Sequence, residues 1–152
     1  MEPIKIGRWS FGVDRGKTED AYSRIGVGGP ERCGCLHCKN YVHAREYAYP
    51  KEARQIFEKL GIAYSKEAEI YHMVKQKNGL QLYGGFFHFI GESLVEAEGQ
   101  ERYETLTDNF QYFISAKSDL LEDPFKGQQI LQFEFVNQTP WVIEEEFPGP
   151  SE

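Results

Sequence analysis

All three cysteines of the chain fall inside one hexapeptide, Cys33-Gly34-Cys35-Leu36-His37-Cys38. Thiols at C-x-C-x2-C spacing converge on one point only if the backbone turns tightly between them. Gly34 permits that turn, because glycine takes positive φ without a steric penalty. A glycine-rich run (Gly26, Gly28, Gly29, then Pro30) precedes the cluster and breaks regular structure. A helical pattern follows Cys38. Any fold of this chain therefore has to bring a loop and a helix start together at the thiols.

Zinc suits such a cluster, since thiolate sulfur is its preferred soft ligand and the site makes no redox demand. The expected metal ligands are Cys33, Cys35, Cys38 and His43. His43 lies five positions after Cys38, although five residues of regular helix rotate a side chain about 140° from its starting direction. His37, His72, His88, a carboxylate or water are the other options for the fourth place. An iron–sulfur cluster ordinarily takes four cysteines, and zinc fits three better.

A redox use has a definite form. Cys35-Leu36-His37-Cys38 opens a helix, where a thiolate is stabilised. The motif resembles the active-site dithiol of thioredoxin-like oxidoreductases, and Thr139-Pro140 resembles their cis-proline element; the resemblance covers those residues alone. It implies that Cys35 attacks a disulfide and Cys38 resolves the mixed intermediate. A hydrolytic use would instead leave one zinc position open for water, with His88 or His43 as base.

The periodicities predict an α+β fold in a single domain of 152 residues: a β element over 4–27, a cysteine-rich loop over 28–39, helices over 38–78, an antiparallel sheet over 80–143, and a tail over 144–152. Ile4, Ile6, Trp9, Phe11 and Val13 alternate loosely, with a change of parity near Gly7. Residues 14–20 read as a polar loop. Their Gly16-Lys17-Thr18 lacks the preceding glycine and the helical pattern of a phosphate loop. Tyr22 to Val27 reads as a short strand. Residues 38–48 form a helix stopped by Tyr49-Pro50. In the next helix Ala53, Ile56, Phe57 and Leu60 make one apolar stripe, closed by Gly61. Ser65 is the expected N-cap of a third helix reaching Asn78, with Ile70, Met73 and Val74 inward and Glu67 and Glu69 solvated.

Leu80–Ile90 reads as a hairpin turning at Gly84-Gly85, with a bulge in one longer strand as the alternative. Residues 92–104 read as acidic loop. Phe110, Tyr112 and Ile114 mark another strand. Leu131, Phe133 and Phe135 alternate with Gln132 and Glu134 as a half-buried strand. Trp141 to Ile143 suggests a short edge strand. His88 sits in the most apolar stretch, Phe86 to Ile90, as a hydrogen-bonded core residue. His72 reads as a boundary residue on a helix.

The formal charge is −7, with 17 basic residues scattered among 24 acidic ones. That argues against nucleic-acid phosphates as a partner. No apolar run is long enough to span a bilayer, and the first residues lack a signal peptide. The expected location is cytoplasmic, and the expected partner is another protein or a small molecule. G-x-S-x-G and H-E-x-x-H are both absent.

Overall fold

The alternation around Phe133 becomes the centre of a sheet. A computed structural model describes residues 1–99 and 101–148. The chain runs through β1 (Glu2–Ile6), β2 (Trp9–Val13), α1 (Arg15–Ser23), α2 (Gly29–Cys33), α3 (Leu36–Ala48), α4 (Lys51–Leu60), β3 (Glu69–Lys75), β4 (Gln81–Glu96), β5 (Glu104–Thr107), β6 (Phe110–Ser115), a 3-10 turn over Asp123–Phe125, and β7 (Ile130–Thr139). The seven strands make one sheet in the order β1-β2-β4-β7-β6-β5, with β3 also on β4. Every pairing is antiparallel. The fold is α+β as expected, but the N-terminal strands are not a separate element. They form a hairpin, Ile6 opposite Trp9, that extends the C-terminal sheet along β4.

β4 is a single strand of 16 residues, so no hairpin forms at Gly84-Gly85 and residues 92–96 are strand rather than loop. The two glycines make room instead. A Cβ on Gly84 would come within 2.5 Å of the Tyr71 ring, and one on Gly85 within 2.6 Å of the Glu69 carbonyl. β3 stands where a third helix was expected. Its register with β4 slips between His72 and Val74, so Met73 is an extra, bulged residue. Of the three residues expected to face inward, Ile70 is buried, Val74 is half-buried and Met73 is exposed at the bulge.

β3 pairs with Gln81–Phe86 of β4, and β2 with Gly91–Glu96. The backbone between them would be an open edge, and α1 closes it. The Tyr22 hydroxyl donates to the His88 carbonyl (2.6 Å), the Ile90 amide donates to Thr18 Oγ1 (3.0 Å), and the Asp14 amide donates to the Ile90 carbonyl (2.9 Å). Buried backbone groups need such partners. This is why residues 14–23 are neither loop nor strand. Asp14 caps the helix by accepting from the Lys17 amide at 2.9 Å, and the inward positions are Thr18, Ala21 and Tyr22. Thr18 of the Gly-Lys-Thr tripeptide is thus a wholly buried structural residue.

α4 matches its expected stripe, with Ala53, Ile56, Phe57 and Leu60 buried and Gly61 at φ 80° as its cap. Phe57 and Tyr49 meet Phe87, Phe133 and Phe135 across the helix-facing side of the sheet. On the opposite face Gln132 is buried, not outward as expected, because residue 119 reaches it: the Asp119 amide donates to Gln132 Oε1 at 3.1 Å. Residues 141–143 form no strand. Among the described residues no helix is long and apolar enough to cross a membrane.

Candidate metal centre

The hexapeptide folds as the junction of two helices. α2 ends at Cys33, Gly34 turns the chain at φ 73°, and Cys35 is the N-cap of α3, its sulfur accepting the Cys38 amide at 3.4 Å. The expected loop is therefore partly helical. The three sulfurs lie within 4.8 Å of one another. A tetrahedral zinc site with bonds of about 2.3 Å spaces its sulfurs about 3.8 Å apart, so the cluster can hold a metal ion with small side-chain adjustments. Cys33 and Cys35 are exposed, Cys38 is buried, and all three are free thiols.

Their protons are held unequally. The Cys35 backbone N–H and the Cys38 and Cys35 thiols hydrogen-bond to Cys33 and hold its thiol below the ordinary value. Burial pushes the Cys38 thiol well up, and its bonds to the other two sulfurs push in the same direction. The Cys33 thiol therefore gives up its proton more readily than the buried Cys38 thiol. A metal ion entering the cluster has to displace the Cys38 proton.

The floor of the site is tied together by hydrogen bonds. The Tyr83 hydroxyl donates to the His37 carbonyl (2.8 Å), and Asn40, fully buried, donates to the Pro140 carbonyl (3.1 Å) and accepts from the Val142 amide (2.7 Å). Segment 140–147 is thereby strapped to the start of α3, with Lys39 paired to Glu145. His37 stacks on His72 at 4.1 Å, and the Phe147 ring packs on both. Beside the Cys33 thiol a shallow groove is lined by Gly29, Arg32, Ala68, Glu69, Ile70 and Leu120.

Of the sequence-nominated ligands the structure brings together Cys33, Cys35 and Cys38. His43 is exposed on α3 and is not in the group of converging ligand atoms. His72 is on a strand, not a helix, and Nε2 faces Gln81 Oε1 at 2.8 Å. His88 is the buried core residue expected, hydrogen-bonded to Gln132 at 2.9 Å. It meets Phe86 and Phe125 rather than the thiols. The Thr139–Pro140 peptide is trans, so the cis-proline resemblance does not hold.

Two groups escaped the sequence. The His37–His72 stack joins residues on different elements and had no local signal. The second group centres on Arg45, which bonds Glu31 and Glu67 beneath the helices. Glu67 is fully buried, not solvated. A signal existed for Arg45. Cys38, Tyr41, Arg45 and Ala48 fall at helical spacing on one face, and a charge on such a stripe calls for a buried partner.

Compared with protein-family models, curated proteins and solved structures, the chain matches none. What fold and site define is a class, an α+β protein with a three-cysteine cluster able to hold a metal ion. Its function has to be argued from that cluster.

Proposed function

We propose that the protein binds zinc through Cys33, Cys35 and Cys38, that the ion ties the end of α2 to the start of α3, and that the stabilised surface recognises another protein or a small ligand. The observation that carries this reading is the convergence of the three sulfurs within 4.8 Å across a glycine turn. The fourth position goes to water in this reading. His43, the sequence's nominee, stands on the exposed side of α3, outside the group of converging ligand atoms. The groove beside Cys33 is where a small ligand or a partner side chain would meet the site. Free thiols fit a reducing compartment such as the cytoplasm.

A second reading is a thiol–disulfide exchanger using Cys35 and Cys38. The feature favouring it is Cys35 at the cap of α3, exposed and accepting the Cys38 amide. Metal analysis of protein purified without an affinity metal separates the two. The zinc reading expects about one zinc per chain, lost in Cys35→Ser and retained in His43→Ala. A metal-free protein with a reversible Cys35–Cys38 disulfide would replace it with the redox reading.

A further inference from the structure

The three thiols come from two helices of unequal security. Cys35 and Cys38 belong to the start of α3, thirteen residues long and held from below by Tyr83 and Asn40. Cys33 ends α2, which has five residues. A helix that short does not hold its own position, since nucleation costs more than one turn returns.

What holds α2 is an ionic cluster, buried at Arg45 and Glu67 and partly exposed at Glu31. Arg45 of α3 donates from Nη1 and Nη2 to the two carboxylate oxygens of Glu31 (2.9 and 2.7 Å) and from Nε and Nη2 to those of Glu67 (3.1 and 2.7 Å). The Tyr49 hydroxyl donates to Glu67 at 2.6 Å. The Glu67 carbonyl accepts the amide of Gly29, the first residue of α2, at 2.8 Å. α2 is thus gripped at its first residue and, through Glu31, at its third. On the outer side Arg32 donates to the Val27 carbonyl at 2.6 Å and to the Ala68 carbonyl at 3.5 Å, and pairs with Glu122 at 3.5 Å. Arg45 and Glu67 form a buried pair that is costly to desolvate, whereas the Glu31 carboxylate keeps part of its hydration. What the double fork adds is direction, because each fork fixes orientation as well as distance.

We propose that Arg45 and Glu31 are positioning residues for the thiol cluster: their ion pair fixes α2 on α3 and so sets how closely the Cys33 sulfur approaches those of Cys35 and Cys38. Glu31 lies two residues before Cys33, about 3 Å along the helix axis, so freedom at Glu31 is passed to the Cys33 sulfur almost undiminished. Cys35 and Cys38 feel none of it. The proposal rests on the zinc reading only for the identity of the ion; its subject is the distance between sulfurs.

The test uses the full chain, with cobalt(II) as a spectroscopic metal probe and arsenite as a probe that bonds three neighbouring thiols. Glu31→Gln leaves Arg45 its fork to Glu67 and is expected to keep the far-UV spectrum and cooperative melting of the wild type. Its cobalt affinity should fall about 10- to 100-fold, as for other supporting-shell losses, and its arsenite affinity should fall too. In a Cys33→Ser background the same change should do nothing further, since the clamp acts only through Cys33. A loss of equal size in that background would overturn the proposal, as would unchanged cobalt and arsenite affinity in Glu31→Gln. Should Glu31→Gln melt without cooperativity, Glu31→Asp, which keeps the charge and withdraws it by one methylene, is read in the same way. Wild-type protein that ignores cobalt yet takes arsenite in a Glu31-dependent manner would sink the zinc reading and uphold the clamp. Protein that takes neither would end both.

Discussion

Single side chains in this protein are governed by where the sheet and helices bury them. His88 shows the effect most plainly. Burial holds its imidazole below the ordinary histidine value, and the Gln132 hydrogen bond and the Asp119 charge offset this only in part. The unfolded chain therefore binds the His88 proton more readily than the native one. The resulting stability is complete above the unfolded value of about 6.5 and is lost as pH falls through the lowered native value. His88→Gln removes the titration. Its melting temperature should fall less between pH 7 and pH 5 than that of the wild type, measured by circular dichroism in matched buffers. An equal fall in both would show that His88 titrates normally. Asn137 makes the same point about motifs. Asn137, which opens the glycosylation pattern Asn137-Gln138-Thr139, is buried and donates to the Tyr41 hydroxyl at 3.0 Å.

At the scale of an element, two kinds of glycine do two kinds of work. Gly84 and Gly85 lie inside β4 because Tyr71 and the β3 backbone fill the space that side chains would take. Gly34 is needed for its dihedral. It sits at φ 73°, its amide closes α2 by donating to the Pro30 carbonyl at 3.2 Å, and an added Cβ would touch nothing within 4 Å. Gly34→Ala should therefore cost backbone strain alone, about 1–2 kcal/mol, read as a lower urea midpoint with an unchanged m value. Gly34→Asn should lose less, since asparagine tolerates the left-handed region better. Equal stability of Gly34→Ala and wild type would mean that the turn has another conformation open to it.

For the whole molecule, the thiol cluster lies at the junction of α2 and α3 beside the β3 edge, so a metal there adds a tie between the short helix α2 and the body of the fold. Zinc at a hundred times its dissociation constant should stabilise the native state by about 2.7 kcal/mol. In a chain of 152 residues that is about 5–10 °C in melting temperature. Calorimetry with and without a chelator checks it. The shift should shrink as pH falls, because the Cys38 thiol, raised by burial, then holds its proton more firmly against the metal. A melting temperature indifferent to zinc and chelator would remove the structural role from the site.

The features legible in the chain were those whose cause is local. The α4 stripe with its Gly61 cap, the alternation through Phe133, the helix after Cys38 and the thiol triplet each carry their signal within about a dozen residues, because helix period, strand period and ligand spacing are short-range properties. The features that were not legible depend on distant partners. α1 is a helix whose buried face is only Thr18, Ala21 and Tyr22, a face that makes sense once it closes the open edge of β4 near His88. β3 is a strand set by its pairing with β4, and the glycine pair of β4 signals a close approach, not a turn. Glu67 looks like a surface acid until Arg45, 22 residues earlier, and Tyr49 are folded onto it. Desolvation and packing are set by what arrives from elsewhere in the chain, so burial of polar groups, strand continuity and the seating of α2 became visible only with the tertiary arrangement.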